Sequence, residues 1–360
     1  MATIVDVARQ AGVSVATVSH VLNRTRFVSK QLTRRVLQAA ETLHYEPNVL
    51  ARGLRSRQTR AVGLILPDVA NPFFAEVTKA VEAESAALGY QVFVCQSDEA
   101  LDKEHDFVSL LQSRLVEGLL LIPSAGDHTF LRPLLRKPLP IVFLSRYIRT
   151  LPIPAVVTDN EAGAFLGVSH LIEAGRRRIA AVVTRKGLSH LIEAGRRRVA
   201  AVVTRKGLSV TADRLQGYRK ALKAAGLRLE GRWVVEGALP FDSAVEAVES
   251  LLRLKRPPDA LFTFGSMQTL AALATFLKLG RSCPEEVALV GFSEHQWAAV
   301  TNPPVTCIAQ PTRMIAATAV QLLMEAIRSR RPLPPEIRKL PPTLIDRRSC
   351  GCVGAGAGRG

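Results

Sequence analysis

Acidic residues are in short supply: 31 Asp and Glu face 48 Lys and Arg, leaving a formal charge of +17 over 360 residues. Such an excess calls for an acidic partner, most often nucleic acid, although charge alone is met as well by a solvated basic surface. The start, Met1-Ala2-Thr3-Ile4-Val5-Asp6, lacks a basic stretch followed by an apolar core, so no secretory signal is expected. No apolar run approaches the roughly 18 residues of a membrane span, which excludes the membrane as an expected partner. Cysteines are few: Cys95, Cys283, Cys307, Cys350 and Cys352 are odd in number and scattered, which fits a reducing cytoplasm rather than a disulfide framework. Cys350 and Cys352 sit in a Gly-rich tail without a histidine cluster beside them in sequence, so no metal is expected there. A Walker-type loop, a Gly-x-Ser-x-Gly elbow and a closely spaced His/Cys/carboxylate set are all missing, which argues against an enzyme and against a cofactor. Glu104 and His105 read as isolated side chains on a solvated helix.

The positive charge is uneven. Residues 1–60 hold ten Lys and Arg against Asp6, Glu41 and Glu46, a local excess of seven. Thr3 with Asp6 predicts a helix N-cap, and Ile4, Val7, Ala8 and Ala11 then share one helical face. Gly12 supplies a tight turn, and Ser14 predicts the cap of a second helix, in which Val15, Val18, Val21 and Leu22 are available to pack. Two short helices joined by a Gly-containing turn make a helix-turn-helix. Ser29 predicts the cap of a third helix over 30–44, with Leu32, Val36, Leu37, Ala40 and Leu43 closing a small core.

These residues resemble a known pattern. Thr3-Ile4-Val5-Asp6-Val7-Ala8, Ala11-Gly12-Val13-Ser14 and Thr17-Val18-Ser19-His20-Val21-Leu22-Asn23 are similar to the head of the lactose/galactose repressor (LacI/GalR) family. Tyr45-x-Pro47-Asn48 and Ala51-Arg52-x-Leu54-Arg55 continue the likeness through the hinge. The resemblance implies that the helix over 14–22 lies in the major groove, where base edges differ in donors and acceptors. Ser14 opens that helix, and Val15 and Ala16 fall at its main sequence-reading positions, where apolar groups touch thymine methyls; Thr17, Ser19, His20 and Asn23 can hydrogen-bond bases or phosphates. Residues 48–56 match a hinge helix too short to be stable alone, so its folding is expected to be coupled to DNA. Asn48 opens it, Leu54 matches a minor-groove wedge, and Arg52 and Arg55 are expected at phosphates.

Beyond the hinge, apolar runs at 61–66, 91–95, 118–122, 141–145 and 156–158 alternate with helical segments at 72–88 and 103–115. A second series follows, with strands near 198–203, 233–236, 260–264 and 287–291 and helices at 161–174, 212–226, 242–254 and 267–279. The alternation predicts two doubly wound parallel sheets, with a ligand cleft at the strand carboxyl ends. The resemblance implies a bilobed body like the periplasmic binding proteins, behind an all-α head at 1–46 and a linker at 47–59. One lobe is expected over about 60–158 and 292–320, the other over about 159–291 and 321–347, with a disordered tail at 348–360. The family landmarks Asn71-Pro72-Phe73-Phe74, Asp159-Asn160, Arg214-Leu215-x-Gly217-Tyr218, Val290-Gly291-Phe292 and Gln310-Pro311 nominate Asn71, Phe73, Phe74, Asp159 and Arg214 for the effector, and Arg146, Ser266 and Ser293 join them. Phe73 and Phe74 read equally as a stacking surface or as core, and Asp159 with Arg214 as ligand contacts or as an internal ion pair.

The departures from the family bear on the effector. Gly265-Ser266 and Ser293-Glu294 replace the Asn-Asp and paired Asp that many members carry. Leu208, Val210 and Leu239 stand where a nucleobase-binding member needs polar or aromatic groups, so a carbohydrate is the expected class. The implied function is a cytoplasmic, homodimeric repressor at a palindromic operator. A secreted sugar-binding protein would explain the body but not the basic head.

One segment is duplicated. Residues 169–188 recur at 189–208 with a single difference, Ile179 against Val199. Two copies are too few for a solenoid, so one helix–strand unit is expected to fill the fold and the other to loop out or form a short surface helix. Each copy carries a net charge of +4, so the excess survives its removal.

Overall fold

The computed structural model describes residues 2–23, 26–45, 59–113, 115–136, 139–183, 208–227, 234–236, 241–331 and 333–352. The chain divides into two compact units, 1–60 and 61–360. The expected hinge helix, with Asn48, Arg52, Leu54 and Arg55, lies outside the described residues, as does Leu239.

The head contains α1 (Ile4–Ala11), α2 (Val15–Asn23) and α3 (Lys30–Thr42). Thr3 and Asp6 close a capping box in which the Thr3 amide donates to Asp6 Oδ2 at 2.9 Å. Thr3 hydrogen bonds hold the Asp6 carboxyl below its ordinary range. Gly12 ends α1 at φ 61, the left-handed turn a glycine adopts without strain. The Arg35 guanidinium reaches back to the Ala11 carbonyl at 2.6 Å, so this basic residue braces the turn. Val7, Ala11, Val18, Val21, Val36, Ala39 and Ala40 form the small core. Leu37 is not part of it: turned about 100° from Val36 on the helix, it is 51% exposed, and Ala39 is buried instead.

The body holds two six-stranded sheets. The first runs β2 (Gln91–Gln96), β1 (Ala61–Leu66), β3 (Leu119–Leu121), β4 (Ile141–Leu144), β5 (Ala155–Thr158) and β11 (Ile337–Leu340), all parallel. The second runs β7 (Val234–Glu236), β6 (Ile179–Val183), β8 (Ala260–Thr263), β9 (Ala288–Phe292) and β10 (Thr306–Ala309), ending on antiparallel β12 (Thr343–Ile345). Strand alternation divides each core between two faces. Val62, Leu64 and Leu66 of β1 pack toward α4 (Pro72–Ala87) and α10 (Thr312–Ser329), while Ala61 and Ile65 face α5 (Leu101–Leu111). In the second lobe α6 (Asn160–Glu173) and α7 (Ser209–Ala224) cover one face, and α8 (Phe241–Leu252) and α9 (Ser266–Leu279) the other. Gly217 sets the approach of α6 to α7, since an added Cβ would stand 2.8 Å from the Phe165 amide and meet the Glu161 carbonyl.

Several expectations need correction. The chain crosses between the lobes after β5, after β10 and after β11, so 292–309 belongs to the second lobe rather than the first. The reverse holds for 321–329 and 337–340: Leu322 and Leu323 pack with Leu64 and Val142, and β11 pairs with β5. The tail expected to be disordered is structured over 348–352, and 353–360 lies outside the described residues. Ser349 is buried, accepting from the Thr306 amide at 2.9 Å and donating to the Leu289 carbonyl at 2.6 Å. Cys350 and Cys352, expected apart from any histidine, lie against His170 of α6. Glu104 is buried beside His128, 2.7 Å from its Nε2, and accepts from the Ser124 amide, whereas His105 is half exposed. The first copy of the repeat supplies the strand that fills the sheet, since Ile179–Val183 pairs with β7 and β8. The second copy, apart from Leu208, lies outside the described residues.

Candidate nucleic-acid interface and effector cleft

In the head, the Ser14 hydroxyl accepts from the Thr17 amide at 3.1 Å and lies 2.9 Å from the Thr17 hydroxyl, which opens α2 as the sequence predicts. Val18 and Val21 turn into the core, leaving Ser14 and Ala16 exposed and Thr17, Ser19 and His20 part-exposed. Val15 is part-exposed as well, but packs against the core with one side, so only part of it faces outward. Asn23 closes the helix. One helix thus presents a polar strip carried on a buried valine pair.

The cleft of the body is built from strand ends. Asp68, Asn71, Phe73 and Phe74 follow β1, Glu99 follows β2, and Ser145 with Arg146 follows β4. From the other lobe come Thr211 and Arg214 of α7, Ser266 and Gln268 after β8, Ser293 after β9 and Gln310 after β10. Both sheets thereby point their carboxyl ends at one crevice, where open α/β sheets bind ligands. Ser145 and Ser293 occupy equivalent places, after the fourth strand of each sheet order, and share a left-handed backbone at φ 63 and 77. Each places its amide on the neighbouring strand: Ser145 N donates to Val156 O at 2.8 Å and Ser293 N to Ile308 O at 2.9 Å. Positive φ at a non-glycine costs on the order of 1 kcal/mol, a strain that gathers at functional sites.

Arg214 is buried in the wall. Its Nε donates to Asn160 Oδ1 at 2.7 Å, its Nη1 donates to the Phe264 carbonyl, and its guanidinium lies 3.6 Å from the Phe292 ring centre. Burial, with Arg146 nearby, pushes it down to about 9, which leaves it cationic at neutral pH. Among the described residues no carboxylate pairs with it. Arg146 differs: Glu99 holds it through contacts of 2.8 and 3.1 Å, the Pro123 carbonyl accepts a third bond, and the Phe74 ring lies 5.4 Å below. Among the described residues the cleft therefore contains one guanidinium ion-paired with a carboxylate and one held by an amide oxygen, a carbonyl and a ring. Gln310 bridges the lobes, accepting from Thr158 at 2.9 Å and donating to Ser293 at 2.7 Å. At the rim, Tyr147 and Arg149 of the first lobe meet Asp213 of the second at 3.2 and 2.9 Å.

Seven of the eight nominated cleft residues thus come together: Asn71, Phe73, Phe74, Arg146, Arg214, Ser266 and Ser293. Asp159 does not join them. Its carboxylate caps α6, accepting from the Ala162 amide at 3.1 Å, and Asn160 makes the contact to Arg214. Asp68, Glu99, Gln268 and Gln310 were missed, although their positions just past strand ends were a usable signal. Leu208 and Val210 line the wall, as their apolar character at a pocket position implies. Among the described residues no helix is long and apolar enough to cross a membrane.

Comparison with known proteins agrees with this architecture. Residues 3–48 match "Bacterial regulatory proteins, lacI family". Residues 59–187 match "Periplasmic binding proteins and sugar binding domain of LacI family", and 188–350 match "Periplasmic binding protein-like domain". The two body matches meet one residue before the junction of the repeat, so each takes essentially one copy. The HTH-type transcriptional repressor PurR of Photobacterium profundum is 33% identical over 332 residues, covering 92% of this chain and 93% of the relative. Among solved structures, the transcriptional regulator CelR–cellobiose complex is 29% identical with a TM-score of 0.69, covering 97% of this chain and 100% of that one. The Lac repressor dimer bound to operator and the anti-inducer ONPF shares the fold at a TM-score of 0.80 and 24% identity, over 97% and 99% of the two chains. The chain belongs to the LacI family of bacterial regulatory proteins, transcriptional repressors rather than enzymes, with a helix-turn-helix DNA-binding head and a two-lobed ligand-binding body.

Proposed function

We propose that the protein represses transcription as a homodimer on a pseudo-palindromic operator and is controlled by a carbohydrate in the interlobe cleft. In this reading α2 enters the major groove and Ser14, Val15, Ala16, Thr17, Ser19, His20 and Asn23 meet bases and phosphates. Asn48, Arg52, Leu54 and Arg55 act at the centre of the site, where paired hinge segments bend the DNA. Effector occupancy changes the lobe arrangement, hence the hinge spacing, hence operator affinity.

The observation that carries the effector class is the lining of the cleft. A buried guanidinium bonded to an amide oxygen and a carbonyl, with side-chain amides and hydroxyls, shares the cleft with Phe73 and Phe74, whose rings meet edge to face at 5.3 Å. Hydrogen-bonding groups around an apolar ring surface suit the hydroxyl rim and C–H face of a sugar ring. The cellobiose held by the CelR structure supports the same class. A purine is disfavoured, because Leu208 and Val210 leave its polar edges without partners on that wall.

The deciding measurement is fluorescence anisotropy of the purified chain on a palindromic and a scrambled duplex, titrated with salt and with a panel of mono- and disaccharides. Affinity for the palindrome at least ~10³-fold above the scrambled duplex, with a steep salt dependence, is expected. A sugar that shifts operator affinity by at least tenfold identifies the effector class; a purine base that alone does so overturns the carbohydrate reading.

A further inference from the structure

A second group of reactive side chains converges at the end of the chain, none of it lining the cleft. His170 stands in the last turn of α6, Asp346 follows β12, and Cys350 and Cys352 come just after. Nε2 of His170 and the Sγ atoms of both cysteines all lie within 4.8 Å of one another. His170 Nε2 is 3.2 Å from Cys352 Sγ and 3.2 Å from Asp346 Oδ1, and Cys350 Sγ is 3.4 Å from the same carboxylate oxygen.

Those spacings suit a cation. Zinc bonds of about 2.3 Å to sulfur and about 2.0 Å to nitrogen or oxygen set tetrahedral donors roughly 3.3–3.8 Å apart. The turn is built for the purpose: Gly351 adopts φ 79, which lets both thiols of the Cys-Gly-Cys step face the histidine, and the Cys352 amide donates to Cys350 Sγ at 3.4 Å. Cys350 is buried in the core of the second lobe and Cys352 packs against that core, so the sulfurs are held by structure rather than left on a free tail.

We propose that His170, Cys350 and Cys352 form a zinc site that fastens the C-terminal segment to α6, its fourth position open to the neighbouring Asp346 carboxylate or to solvent. Two thiolates with an imidazole select zinc over magnesium or calcium. Binding releases the two thiol protons to solvent and leaves the metal's oxidation state unchanged. Because α6 begins at the cleft, where Asn160 accepts from Arg214, the metal anchors at its far end the helix that orients that guanidinium.

The test uses the untagged full-length chain, reduced, freed of metal by chelation and titrated with Co(II). One equivalent should bind with thiolate-to-cobalt charge transfer and tetrahedral ligand-field bands, and one equivalent of zinc should displace it and raise the thermal midpoint. Since replacing buried Cys350 endangers the fold, the half-buried C352S is the deciding variant, with circular dichroism confirming that it folds. C352S and H170Q should each lose the charge-transfer band or weaken zinc by at least tenfold, while H190Q, the matching histidine of the second copy, should leave it intact. The absence of a cobalt–thiolate band from the folded, reduced protein overturns the proposal. So does a band that survives both C352S and H170Q, or one that H190Q alone removes.

Discussion

The planar fork of Arg214 does three things at once in the cleft wall: it bonds Asn160, bonds the Phe264 carbonyl and lies on Phe292. An ammonium has the charge but not the shape. R214K should therefore weaken the tightest-binding sugar of the panel by at least ~10-fold, about 1.4 kcal/mol, while changing operator affinity without sugar by less than about threefold; calorimetry on the folded variant separates the two. Asp213 next door behaves differently. Burial raises its carboxyl above the ordinary 3.8, against the pull of Arg149 and Tyr147. As pH climbs from 3.8 toward the raised native value, the unfolded chain gives up its proton first, the native state binds more protons, and stability falls. This contribution is full below 3.8 and lost once pH passes the native value. The stability of the wild type relative to D213N should thus decline across that interval and then level off, as urea titrations at stepped pH would report. Most of the cleft was legible at this scale because its residues sit at strand ends next to recognisable motifs. Asp159 misled because the same position, strand end to helix start, is also where an N-cap belongs, and nothing in sequence separates the two roles. Glu99 escaped because its partner Arg146 lies 47 residues away.

At the scale of elements, periodicity located most helices and strands, and the N-cap at Thr3 was readable, although the reciprocal bond that makes it a capping box came from the structure. Connectivity was less so. Whether a strand after residue 292 returns to the first sheet or stays in the second depends on which edge accepts it. Cys307 and Ile308 match Gly291 and Phe292 in register, a long-range fact that local patterning does not encode. Composition misled at the tail, where a Gly-rich stretch hid Ser349 and its two buried hydrogen bonds. The repeat gives a direct test. From the end of β6 at Val183 to the start of α7 at Ser209 the chain runs through 184–208, and deleting 189–208 leaves only 184–188 to make that connection. Leu188 then precedes Ser209 where Leu208, a cleft residue, stood, so the wall keeps the same side chain. A connection five times shorter costs less chain entropy to close, by roughly 1–2 kcal/mol if both connections behave as free chain. The shortened chain should fold, unfold at higher denaturant and bind sugar within about twofold of the parent. A chain that fails to fold would show that the second copy contributes packing of its own.

At the scale of the whole molecule, a head of three short helices reads few base pairs, and strong operator binding requires two heads. In the proposed homodimer the first lobe would pair through β2. β2 ends its sheet, and Phe93 and Val94 on it are 48% and 43% exposed, with Leu88 exposed just before the strand. Edge strands that stay monomeric are normally guarded by charge or proline; Gln91–Gln96 contains neither. F93E places a carboxylate in that strip without touching the buried core. The variant should keep its circular dichroism spectrum and thermal midpoint but sediment as a monomer at micromolar concentration. Its operator binding should weaken steeply, and the dependence on salt should change in a telling way. Each phosphate contact contributes about −0.9 to the slope of log affinity against log salt, so a lone head should show about half the slope of the parent. A monomer with the parent's full slope would mean that the heads pair on DNA without the body, and a dimer that survives F93E would move the interface away from β2.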